Sequence, residues 1–124
     1  MNVVDSSAWL EYFAGGPNAD FFAPAIEKTD DLILPTLALF EVFKWILKQR
    51  DESAALQAVA AMQQGRVVDL DALVALSAAR ISIDRQLPMA DSVIYATALA
   101  YDAALWTQDV DFEGLPRVEY RKRR

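Results

Sequence analysis

Two residue types are missing from the 124-residue chain: it has no cysteine and no histidine. Without cysteine there is no disulfide framework and no thiolate metal site, which fits a cytoplasmic protein. The lack of histidine excludes more. A Ser-His-Asp triad, a histidine general base and a His-ligated zinc are all impossible, so any catalysis must use carboxylates, hydroxyls, lysines or arginines. With oxygen ligands alone, the natural metals are hard ones such as Mg²⁺ or Mn²⁺. Long apolar runs are absent as well. No stretch reaches about 18 residues without a charge or a proline, so no membrane span is expected. The opening residues MNVVD carry neither a basic region nor a long apolar segment, which argues against a secretory signal.

What is present is a large apolar fraction, 54%, enough for a tightly folded domain and too much for disorder. No repeat or linker interrupts it, so one domain spanning residues 1–124 is expected. Charge is unevenly spread. The last eight residues, RVEYRKRR at 117–124, hold five basic side chains against one Glu, a local +4, which leaves −10 on the rest of a chain of net charge −6. An acidic body does not suit general attraction to nucleic acid, but it would gather cations or pair with a basic partner. The basic tail is either a solvated end, the commoner case, or a phosphate contact.

The chain alternates between short apolar strands and helices. NVVD reads as a strand ending in Asp5, and SSAWLEYFAGG as a helix with Ser available as N-cap and two glycines as its stop. Residues 18–28 pattern as a helix that Pro24 should disturb. LIL is a buried strand; Thr36 is expected to cap a long helix running to about Gln49. ESAALQAVAAMQQG is a helix, RVVDL a strand, Asp71–Arg85 a helix, residues 87–100 another helix, ALWT a strand and RVEY a final one. Strands of three to five residues alternating with helices imply a three-layer α/β/α sandwich around a short-stranded, mainly parallel sheet.

In such sheets sites form beyond the carboxyl ends of the strands. Asp5 ends the first strand, and Asp109 follows ALWT by two residues. Glu41 lies on a long apolar helix whose charged positions, Glu41, Lys44 and Lys48, share one stripe. The plain reading is a solvated face with Glu41 paired weakly to Lys44. Asp91 opens the apolar helix in LPMADSVIYATALA, where a capping role is the ordinary explanation. Asp5 is likewise a natural cap, and Asp109 and Asp111 are natural turn formers. The early aromatics Trp9, Tyr12, Phe13, Phe21 and Phe22 read first as core, and alternatively as a dimer face or partner groove.

Singly these residues are unremarkable. Together, VVDSSAW, LFEVFKW, LPMADSVIYATALA and LWTQDVDF resemble the PIN-domain nucleases, most closely the VapC-type toxins of toxin–antitoxin modules, in order and over nearly the whole chain. LPxAD followed by an alanine-rich helix and TxDxDF are the most specific parts. The resemblance implies a Mg²⁺- or Mn²⁺-dependent endoribonuclease and a cognate antitoxin; a homodimer is expected as well, on the dimer-face reading of the early aromatics. It maps Asp5, Glu41, Asp91 and Asp109 onto the family's acidic positions, with Asp111 as a further acid and Ser6 and Thr107 as neighbouring hydroxyls.

The chemistry agrees. Phosphodiester hydrolysis needs an activated water and charge stabilisation, and divalent ions held by carboxylates provide both. On this basis Asp5 and Asp91 are expected as principal metal ligands, with Asp109 and Asp111 supporting them. Glu41 would be a ligand or would orient water, and Lys44 is a candidate phosphate contact or a plain surface lysine. Asp91 is expected to cap its helix as well. Two other readings stand beside this one. The first is a PIN-like RNA- or protein-binding module that does not cut. The second is a phosphoacceptor receiver domain, which VVDSS disfavours because it has one acid where that class needs a pair.

Overall fold

The computed structural model describes residues 1–124. Its elements alternate as expected: β1 (Asn2–Val4), α1 (Ser6–Ala14), α2 (Ala19–Glu27), β2 (Leu32–Pro35), α3 (Thr36–Gln49), α4 (Glu52–Met62), β3 (Arg66–Val68), α5 (Ala72–Arg85), α6 (Met89–Ala100), β4 (Ala104–Thr107) and β5 (Val118–Tyr120). Short 3₁₀ turns at Thr29–Asp31 and Val110–Phe112 complete it.

The five strands form one sheet in the order β3-β2-β1-β4-β5, and every pairing is parallel. Parallel neighbours need crossover connections, helical here except between β4 and β5, and the near-universal right-handed crossover then fixes the layers. The chain steps from β1 to β2 to β3 in one direction, so α1–α4 cover one face. It then returns to β4 on the far side of β1, which puts α5 and α6 on the other face. The result is the three-layer sandwich anticipated from the alternation. Because both faces are covered, the strands are almost wholly apolar: Val3, Val4, Leu32, Ile33, Leu34 and Leu105 are buried among Trp9, Phe22, Met62 and Phe112.

Local signals account for most boundaries, with three corrections. The N-cap of α1 is Asp5, whose side chain accepts the Ala8 N–H, and not a serine. Thr36 does not cap α3; it is the first helical residue after Pro35, and no side chain caps that end. Helix α2 runs through Pro24, whose ring lies on the exposed side where the carbonyl it leaves unpaired can meet water. The segment after Asp109 makes a 3₁₀ turn capped by the Asp109 side chain, as its turn chemistry suggests.

One tight approach carries a prediction. Gly65 precedes β3, and a Cβ there would lie 2.9 Å from the Leu32 carbonyl oxygen and 2.8 Å from Leu32 Cγ. The backbone of a central strand cannot yield cheaply, so Gly65→Ala should cost about 1–3 kcal/mol as overpacking. Urea unfolding measures this, and a wild-type midpoint would show that β3 moves freely.

Candidate metal centre

The strand order reverses between β1 and β4, because β1 leads to β2 on one side and β4 lies on the other. At such a reversal the connections leave in opposite directions and open a crevice at the carboxyl ends of the strands. Asp5 emerges from β1 and Asp109 from β4, and Val4 pairs in register with Trp106. The two acids are therefore neighbours although about a hundred residues separate them in sequence. Phe112, fully buried, anchors the turn that carries Asp109 and Asp111. Asp91 comes from the first turn of α6, the helix with the longest buried run in the molecule, Ser92 to Ala98.

Three of the candidates converge. Carboxylate oxygens of Asp91, Asp109 and Asp111 lie within 4.8 Å of one another. Two full charges at that separation repel by about 3–4 kcal/mol at an effective dielectric near 20. A proton on Asp91 would relieve part of this. Burial pushes the Asp91 carboxyl up to about 7, and the charges of Asp109, Asp5, Asp111 and Glu41 add to the rise. Asp91 makes no side-chain hydrogen bond and is not the cap of α6, whose N-cap is Pro88. Its carboxylate thus faces the other acids free of any capping duty, contrary to the double role expected of it.

Asp5 stands apart from the trio but within its field. It is only 5% exposed, and donors surround it. Oδ1 accepts from the Ala8 N–H at 3.0 Å and the Ser7 hydroxyl at 2.8 Å, and Oδ2 accepts from the Thr107 hydroxyl at 2.6 Å. Burial still pushes this carboxyl up to about 6 against the lowering effect of those donors, with Asp109 adding to the rise. The Thr107 hydroxyl also accepts the Asp109 N–H at 2.9 Å. A single buried hydroxyl therefore fixes the spacing of the acids after β1 and β4.

Glu41 completes the rim. It takes the Ser6 hydroxyl at 2.6 Å across the α1–α3 junction, so the weak pair with Lys44 does not form. Lys44 instead sits 5.6 Å from the Phe40 ring centroid. Sequence reasoning named Ser6 and Thr107 but passed over Ser7, Asn18 and Gln108. Gln108, buried, accepts from Asn18 Nδ2 at 3.0 Å and donates to the Ser7 carbonyl. Its place between Thr107 and Asp109 was the available signal.

The donor set fits a hard divalent cation. All its atoms are carboxylate oxygens, and ligands sharing one Mg²⁺ at about 2.0–2.1 Å lie at most about 4.2 Å apart. Ligands in adjacent octahedral positions lie only about 3 Å apart, so the trio must draw closer to share one ion, and Asp111 is exposed enough to move. Thr107→Val would strip a donor from Asp5 and an acceptor from the Asp109 amide. It should lower stability by about 1–3 kcal/mol and divalent-metal affinity by roughly ten- to a hundredfold. Calorimetric titration with Mn²⁺ reads the second effect, and unchanged affinity would mean that the bridge does not align the acids.

Comparison with known proteins places this arrangement. No curated protein matches the sequence significantly. Among solved structures, the chain resembles a toxin–antitoxin complex from Klebsiella pneumoniae, with TM-score 0.81, 21% identity and 96% of each chain covered. It also resembles VapC20 of Mycobacterium tuberculosis, a sarcin-ricin loop cleaving toxin, with TM-score 0.76, 17% identity and coverage of 94% of this chain and 95% of that one. VapBC2 from Rickettsia felis, bound to a DNA fragment from its promoter, aligns at TM-score 0.75 and 12% identity over 98% of this chain and 97% of that one. At these identities the likeness is one of fold. A family match over residues 3–118 goes further, taking in β1 through the start of β5 and every acid of the centre, and by it the chain belongs to the PIN domain family.

Proposed function

We propose that this PIN domain is a Mg²⁺- or Mn²⁺-dependent endoribonuclease and the toxin of a type II toxin–antitoxin pair. The observation that supports it best is the convergence of Asp91, Asp109 and Asp111 oxygens within 4.8 Å at the strand-order reversal, beside a buried Asp5. Such a concentration of negative charge destabilises the metal-free fold, and a cation would remove the penalty.

Asp91, Asp109 and Asp111 would hold the ion, with Asp5 contributing a lone pair left over from its hydrogen bonds. When bound, the ion supplies activation of the attacking water and charge compensation at the scissile phosphate. The rest falls to the chain. Ser6 holds one Glu41 oxygen, leaving the other to orient water. Thr107 and Ser7 keep Asp5 from swinging away. Lys44, one turn along α3, would meet a substrate phosphate.

The same reading assigns two partners. An antitoxin fits because several structures of similar fold are toxin–antitoxin complexes. A basic side chain from such a partner could occupy the acidic centre in place of a cation. A second copy of the chain would cover exposed apolar residues such as Leu73, Leu76 and Ile83 on α5. No helix is long and apolar enough to cross a membrane.

Incubation of the purified protein with a structured RNA tests the activity. Cleavage is expected with Mn²⁺ or Mg²⁺ and none in EDTA. Metal-independent cleavage would refute the metal centre, and intact RNA under all conditions would leave a PIN fold that binds without cutting.

A further inference from the structure

Helix α3 carries an exposed stripe in which rings alternate with cations. Phe40 is 59% and Trp45 50% exposed, and Lys44 and Lys48 stand in solvent beside them. Residues 40, 44 and 48 recur every four positions, so they share one face, with Trp45 at its edge. They form one wall of a groove of about 760 Å³ that also includes Ser6, Glu41 and, from the other side, Arg123. The groove therefore runs directly onto the rim of the acidic centre, where the Ser6–Glu41 hydrogen bond lies.

Arg123 is held in place. The Arg121 N–H donates to the Thr107 carbonyl at 3.1 Å, continuing the β4–β5 pairing. The Arg121 guanidinium lies 4.4 Å from the Phe21 ring centroid, and buried Asn18 donates Nδ2 to the Lys122 carbonyl at 3.0 Å. The backbone of the basic tail is thus fastened to the body up to the residue before Arg123, while the side chains of Lys122, Arg123 and Arg124 are exposed. The molecule's ion pairs are Lys28–Asp31 and Arg117–Asp102. Lys44, Lys48 and Arg123 form no ion pair, although Glu11 and Glu41 line the same groove. Glu41 is held by the Ser6 hydroxyl and Glu11 by the Asn18 N–H, which leaves the three cations free for an anion from outside.

We propose that this groove is a single-strand track. Phosphates of an unpaired RNA segment lie along Lys44, Lys48 and Arg123, bases stack on Phe40 and Trp45, and the strand reaches the acidic centre past Glu41. Interleaved rings and cations suit a polymer with flat faces and a charged backbone, and only unpaired bases offer those faces. The inference takes the identity of the polymer from the nuclease reading above, but its test needs no cleavage.

Fluorescence anisotropy with a labelled oligouridylate of roughly ten nucleotides, in EDTA, measures binding alone. Trp45→Ala and Phe40→Ala should each weaken it by roughly tenfold. Trp45→Tyr should restore most of the loss, and Trp45→Leu, apolar but without a ring, should not. Lys44→Gln, Lys48→Gln and Arg123→Gln should each flatten the slope of log affinity against log salt by about 0.7. A self-complementary RNA duplex should bind more weakly than the single strand. Unchanged affinity and salt slope in the triple Gln variant would overturn the proposal, as would equal binding of the duplex. Tighter binding of a polyglutamate peptide through the same residues would also overturn it and assign the groove to an acidic protein segment. If the wild-type protein cuts no RNA yet these binding results hold, the nuclease reading fails alone. If it cuts but the substitutions change nothing, the track fails alone.

Discussion

Asp91→Asn should abolish metal-dependent RNA cleavage and, in the same protein, raise the melting temperature of the metal-free form. The loss of activity should be at least about a hundredfold, the upper end of what losing a partner behind a metal ligand costs. The gain in stability follows from the geometry. Asp91 makes no hydrogen bond, and burial together with the surrounding acids holds its carboxyl up at about 7. Above that pH it carries a charge that the fold disfavours, and asparagine has the same shape without the charge. Since Asp91 is partly exposed, solvent screening trims the benefit to about 1 kcal/mol, or roughly 3–6 °C for a chain of this size. A structural aspartate would give the reverse. If the variant melts lower in EDTA at pH 8, or still cuts, Asp91 does not belong to the centre.

The second large effect is a dependence of stability on pH that metal inverts. Asp5 and Asp91 have folded-state pKa values of about 6 and about 7, against 3.8 for the ordinary group. Between about pH 4 and 7 the folded state therefore holds more protons than the unfolded one, and stability falls as pH rises. Below about pH 4 both states are protonated and the favourable contribution is complete. For buried Asp5 the shift of about two units corresponds to about 3 kcal/mol lost across that window, and Asp91 adds in the same direction.

Divalent metal should reverse the trend, because a cation held there would bind the deprotonated carboxylates. At a hundredfold excess over its dissociation constant an ion adds about 2.7 kcal/mol. The difference in melting temperature with and without Mn²⁺ should be near zero at pH 5 and greatest above pH 7.5. It should vanish in an Asp109→Asn, Asp111→Asn double variant. A Mn²⁺ shift that is equal at both pH values would mean that the ion binds elsewhere.

How far the sequence discloses this molecule depends on the range of each interaction. The layered architecture is legible because it is written locally: short apolar runs such as LIL and ALWT between amphipathic helices leave little but a parallel sheet. The placement of Asp5 and Asp109 at one edge follows from that architecture alone. Capping was harder to read. Serine, threonine and aspartate compete for the same amides, and at α1 the residue one position earlier won because its second oxygen also meets Thr107. Asp91 looked like a cap because position and charge suited one, but its carboxylate faces the other acids. The Ser6–Glu41 bond spans 35 residues and the Thr107–Asp5 bond 102, separations at which spacing says nothing. The anchored tail was illegible for the same reason, since Asn18 reaches it across 104 residues.

The pairing of β1 with β4 has a temporal side. The second strand made, β2, can join β1 early, but Asp5 gains its Thr107 donor, and its neighbours Asp91 and Asp109, only after some hundred further residues have been synthesised. Contacts this distant along the chain also form late in folding. A growing polypeptide therefore emerges from the ribosome with its acids still scattered, and the acidic centre comes into being only when nearly the whole chain has been made.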